Sequence, residues 1–138
     1  MATFSGISDP AGLFRYPVSG GCPAYPACEP AGLAKVFSDV ASGATPVNNP
    51  GLYADAAPID HVTAGDAPML LVGSTAEIIP ASQITQLVLA DRAAGVPVSA
   101  VQVPGARHAQ ELMPVAILAL LRWLNAYAGS RLAAVHAG

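Results

Sequence analysis

Charge is scarce in this sequence. Six Lys and Arg and nine Asp and Glu make up 11% of the 138 residues, where an ordinary soluble domain carries about 25%. The net charge is −3, and no stretch of Lys or Arg could build a basic face, which argues against nucleic acid as a partner. Low charge combined with 53% apolar residues excludes intrinsic disorder. Long hydrophobic runs are also missing. The longest, around residues 115–121, is far short of the roughly 18 residues of a membrane span, so no membrane span is expected. Cysteine is limited to Cys22 and Cys28, in the Pro/Gly-rich stretch GGCPAYPACEP. They read either as two buried thiols or as a short-loop disulfide. A disulfide would suggest an oxidising compartment and a secreted protein. With no second Cys/His pair nearby and three scattered histidines, no metal site is expected. No Gly-rich phosphate loop is present, so no cofactor is expected either. Met1 is followed by neither a basic start nor a signal-length apolar stretch, so no signal peptide is expected.

The length fits one domain, residues 1–138. Alanine makes up about a fifth of it, and alanine-rich helices account for part of the apolar excess. Residues 1–65 are rich in Gly, Pro, Ser and Asn. Residues 66–128 alternate between strand and helix signals, and residues 129–138 read as a loose tail. Residues 2–5 predict a short strand. Residues 6–29, punctuated by Pro10, Pro17, Pro23 and Pro26, read as a long loop. Pro30 opens a helix with Leu33, Val36, Phe37 and Val40 at helical spacing, ended by Gly43. Residues 52–57 suggest one helical turn before Pro58.

From Pro68 the pattern sharpens. Residues 69–72 are a continuous apolar run before Gly73, as expected of a strand covered on both faces. Residues 82–94 predict a helix stopped by Gly95. Val-rich residues 96–103 predict a third strand, broken by Pro104-Gly105. Residues 112–128 predict a long helix, apolar on so many sides that a sheet or a partner must cover it. This order implies an α/β fold with a parallel sheet of about three strands and flanking helices. In such sheets ligands bind beyond the carboxyl ends of the strands. Ser5, Ser8 and Asp9 arrive there after the first strand, Ser74, Thr75 and Glu77 after the second, and Arg107 and His108 after the third.

These segments resemble the C-terminal part of α/β-hydrolase-fold esterases and lipases, in the dienelactone-hydrolase and prolyl-oligopeptidase-like groups. The resemblance is carried by FSGISD, APMLLVGSTAEIIPASQ and RAAGVPVSAVQVPGARHAQ, and it spans about two thirds of the chain. It implies a partial α/β-hydrolase-like sheet and a carboxylic-ester hydrolase acting on short acyl chains, with a small-molecule ester as substrate. His108 matches the family's catalytic histidine, general base toward a serine and then general acid toward the leaving group. The family's acid falls on Ala76, and Glu77 stands one place later. Glu77 is therefore either the acid, reached by a remodelled loop, or an exposed loop carboxylate. Asp66, before the strand, is a weaker substitute.

The resemblance also implies a GxSxG nucleophile elbow upstream of the matched part. The nearest imitations, Gly6-Ile7-Ser8-Asp9-Pro10 and Pro17-Val18-Ser19-Gly20-Gly21, each have Pro at one end. Candidate nucleophiles are Ser5, Ser8, Ser19 and Ser74, each of which could instead be a turn serine bonded to local backbone. His61 in APIDHV reads as structural, and His136 lies in the tail. Phe14, Tyr16, Tyr25 and Tyr53 either line a cover over the site or pin a loop to the sheet. Three strands of a larger family sheet would leave an open edge at residues 2–5. The chain is accordingly expected to form a homo-oligomer or to be completed by another chain. The other functional reading is a non-catalytic C-terminal remnant acting as a binding or assembly module.

Overall fold

Six residues in a row, Met69–Ser74, are buried. That continuity marks a central strand, because side chains alternate between faces and both faces here are covered. The structure, a computed structural model, describes residues 1–16, 39 and 41–135, and for residues 128–135 only the helical backbone. Ser19, Cys22, Cys28, Tyr25, His136 and the helix expected from Pro30 lie outside the described residues.

The central strand, β2 (Met69–Ser74), is flanked by β1 (Ala2–Phe4) and β3 (Val98–Val103) in a three-stranded sheet of order β1-β2-β3. Both pairings are parallel, with Ala2 opposite Leu70 and Met69 opposite Val98. The fold is therefore α/β, and β1, from the loop-rich first part of the sequence, belongs to the same sheet as the rest. Met69 and Leu71 point to one face, where they pack with Ile84, Leu87 and Val88 of α3 (Ala81–Ala93). Leu70 and Val72 point to the other, against Leu112, just before α4 (Met113–Val135), and Ala116 in its first turn, with Phe4, Leu120 and Trp123 alongside. Gly95, at φ 78°, ends α3, because an L side chain is disfavoured there and glycine is not.

Three boundaries differ from expectation. The ladder of β3 starts at Val98 rather than residue 96. Pro97 has no N–H to donate, and only its carbonyl takes part, accepting from Met69 at 2.9 Å. Within the expected loop 6–29 lies a helix, α1 (Pro10–Arg15). Pro10 does not break the chain there but occupies the first turn, and the Asp9 carboxylate caps it by accepting the Gly12 N–H at 2.8 Å. The last helix runs on to Val135 instead of giving way to a tail near residue 129. Gly129 and Ser130 weaken a helix but do not end one. The turn expected near residues 52–57 is α2 (Pro50–Asp55), capped by Asn49, and a 3-10 turn at Pro58–His61 follows it. Among the described residues no helix is long and apolar enough to cross a membrane.

The segment after β1 is held by a residue to which the sequence drew no attention. Gln83, 2% exposed, accepts the Ser8 and Asp9 N–H groups on its Oε1 at 2.9 and 2.7 Å, and its Nε2 donates to the Asp9 carbonyl at 3.1 Å. Gln83→Leu keeps the bulk but leaves these groups without partners. A buried donor left unpaired costs about 1–3 kcal/mol, so the variant is expected to lose about 2–3 kcal/mol, read as a lower midpoint in urea unfolding at unchanged slope.

Candidate active site

The three strands end on the same side of the sheet, and their tips meet at the carboxylate of Glu77. Gly73 and Ser74 close β2, and the chain then turns. The Thr75 N–H donates to the Val103 carbonyl at 3.0 Å and the Ala76 N–H to the Gly105 carbonyl at 2.9 Å, tying this loop to the end of β3. Glu77 follows and reaches back beneath the loop, 2% exposed. Its Oε1 accepts the Ser74 N–H at 2.7 Å. Its Oε2 accepts the Ser5 hydroxyl at 2.5 Å and pairs with Nδ1 of His108 at 2.7 Å. An ionised carboxylate can only accept, so Nδ1 carries a proton, and whenever the ring is neutral Nε2 is its acceptor. Three donors on two oxygens keep a buried carboxylate tolerable in a dry site. Gly73 makes the room. A Cβ there would stand 2.9 Å from Glu77 Oε1 and press on Ile84 Cδ1 as well.

His108 sits at the edge of this pocket, its side chain 36% exposed. Its backbone N–H donates to Glu111 Oε2 at 3.2 Å, and the 3-10 turn Ala109–Leu112 carries the chain into α4. The buried acid and partly exposed imidazole form a pair in which one group fixes the tautomer and orientation of the other. Such a pair can accept a proton at Nε2 from a hydroxyl or a water molecule.

Among the four serines expected as nucleophiles, Ser5 lies in this network, with its hydroxyl on Glu77 rather than toward Nε2. Ser8 is 1% exposed and donates its hydroxyl to the Gln83 backbone carbonyl at 2.6 Å, a bond to a distant helix and not to the local backbone of its own turn. Ser74 is also 1% exposed; its N–H serves Glu77, while its Oγ has no hydrogen-bond partner among the described residues. Ser19 lies outside the described residues. Asp66 is not brought to the site. Both its oxygens are taken by Thr63, from the N–H and the hydroxyl, each at 2.9 Å, and the backbone bond above all holds its carboxyl below the usual range. Asp9 is spent as a helix cap. The His61 ring contacts the Asp55 carbonyl at 2.9 Å. Phe14 and Tyr53 stack edge to face, 5.9 Å between centroids, pinning α1 to α2. Arg107 is exposed. Among the described residues there is no group of three His, Cys, Asp or Glu that could hold a metal ion.

No protein-family model matches the chain, and no curated protein matches it in sequence.

Proposed function

We propose that this chain is a carboxylic-ester hydrolase of the α/β-hydrolase type, acting on esters of short acyl chains, with His108 as general base toward a serine and Glu77 as the acid that orients it. One observation carries the reading: the 2.7 Å contact between His108 Nδ1 and the buried Glu77 carboxylate at the tips of two adjacent parallel strands. An imidazole anchored through Nδ1 presents Nε2 for proton transfer, the arrangement that nucleophilic acyl transfer requires. Of the candidate serines, Ser5 and Ser8 have their hydroxyls engaged elsewhere and that of Ser74 is buried, which favours Ser19 or a serine of a chain that extends the sheet at β1.

A second reading, an assembly module without its own nucleophile, has support of a different kind. Among the described residues β1 pairs only with β2, and no described strand pairs with its other edge. On α4, Ile117, Leu121 and Leu124 are 38%, 53% and 44% exposed and recur at helical spacing. A fluorophosphonate probe followed by peptide mass spectrometry separates the two. The hydrolase reading expects one serine adduct, on Ser19 if the chain is self-sufficient, and its loss in His108→Ala. No adduct, together with association in sedimentation equilibrium, would leave the assembly module.

A further inference from the structure

We infer that Ser5 is the positioning residue of this site, its single hydroxyl setting both the carboxylate that orients His108 and the backbone that carries His108. The inference rests on the Glu77–His108 reading above and adds to it the group that holds the pair in register. The Ser5 hydroxyl donates to Glu77 Oε2 at 2.5 Å and accepts the Ala109 N–H at 2.9 Å. The Ser5 N–H in turn donates to the Val72 carbonyl at 2.8 Å. One residue at the tip of β1 thus grips the strand beside it, the acid after β2 and the residue that follows the histidine after β3.

The backbone shows that this grip is specific. Ser5 and Ala109 have φ of 52° and 48°. Residues with a Cβ are disfavoured in that region and persist there only where surrounding bonds over-determine them. The two strained residues are bonded directly to each other, Ala109 N–H to Ser5 Oγ, and His108 is the neighbour of one of them. Without the hydroxyl, Ala109 loses its hydrogen bond to the residue at the tip of β1, and Oε2 loses one of its two donors. Glu77 and His108 can then both turn away from the geometry that exposes Nε2.

The test uses the full chain with ¹⁵N-labelled imidazoles, at a pH where the ring of His108 is neutral, and compares wild type with Ser5→Ala, Ser5→Gly and Glu77→Leu. Long-range ¹H–¹⁵N spectra report which ring nitrogen carries the proton. Wild type is expected to hold the Nδ1–H form. Both Ser5 variants are expected to raise the population of the Nε2–H form roughly tenfold, and to lower kcat for ester by roughly tenfold with little change in KM, since a small misplacement of a catalytic group acts on turnover. Ser5→Gly relieves the positive φ, so an effect shared with Ser5→Ala cannot come from failed folding. If Glu77→Leu moves the proton and neither Ser5 variant does, Ser5 is structural only and the inference is overturned. If Glu77→Leu also leaves the tautomer unchanged, the pairing of Glu77 with His108 fails, and the role of Ser5 falls with it.

Discussion

Replacing His108 by alanine is expected to lower turnover of a p-nitrophenyl short-chain ester by about 10²–10⁴-fold, the usual contribution of a positioned general base. The fold should hardly respond. The side chain is about one-third exposed and is hydrogen-bonded to Glu77. Its removal leaves Glu77 with the Ser5 and Ser74 donors in place. Activity and thermal midpoint therefore separate in this variant, which distinguishes a chemical role from a structural one. The measurement is initial rate against ester concentration for both proteins, with the circular-dichroism melting curve of each alongside. Equal rates would end the account in which this imidazole moves a proton.

Asp91→Leu is expected to stabilise the protein at neutral pH. Asp91 lies on α3, 0% exposed, and neither of its carboxylate oxygens has a hydrogen-bond partner among the described residues. The contrast with Glu77, equally buried but met by three donors, shows what is missing. Burial pushes the Asp91 carboxyl above its ordinary range, and the nearby charge of Asp66 adds to the shift. A carboxyl with a higher pKa folded than unfolded binds protons more tightly in the native state. Its penalty is therefore absent at acid pH, where both states are protonated. It develops as pH rises through the unfolded value near 3.9 and is complete above the folded one. Replacing such a group by an apolar one contributes about 1–3 kcal/mol, or roughly 3–10 °C in Tm for a chain of this size. An adjoining cleft of about 380 Å³, lined by Val62, Met69 and Leu87 among others, leaves room for the larger side chain. Melting curves of the two proteins from pH 3.5 to 8 should diverge as pH rises. A constant difference, or a variant that melts lower at pH 8, would show that Asp91 carries no unpaired charge.

How far the fold could be read along the chain depended on whether the signal was local. The run at residues 69–72 announced a strand covered on both faces, and Gly95 announced the end of α3, because each rests on a property of consecutive residues. The helix Pro10–Arg15 was misjudged although its signal was also local: Asp followed by Pro starts a helix as readily as it breaks a chain. Gln83 gave no warning at all. Its partners, Ser8 and Asp9, lie 75 and 74 positions earlier in the chain, and nothing in the pattern around a polar helical residue tells which backbone it will meet.

The candidate site divides in the same way. Ser5, Glu77 and His108 each follow a strand, and that much is written in the order of the residues. Whether the offset Glu77 would reach the imidazole or remain an exposed loop carboxylate depended on the path of the loop after Ser74, and that path is set by bonds to Val103 at the end of β3 and to Gly105 just beyond it. Likewise the direction of the Ser5 hydroxyl, onto the acid and the Ala109 N–H, arises only where three strand ends are brought together. Periodicity and turn chemistry act between near neighbours, so sequence alone determined the three strands, the longer helices that flank them and the side of the sheet on which the strand ends gather. Hydrogen bonds between groups 31, 72 and 104 residues apart exist only after folding, and they decided which of those residues face one another.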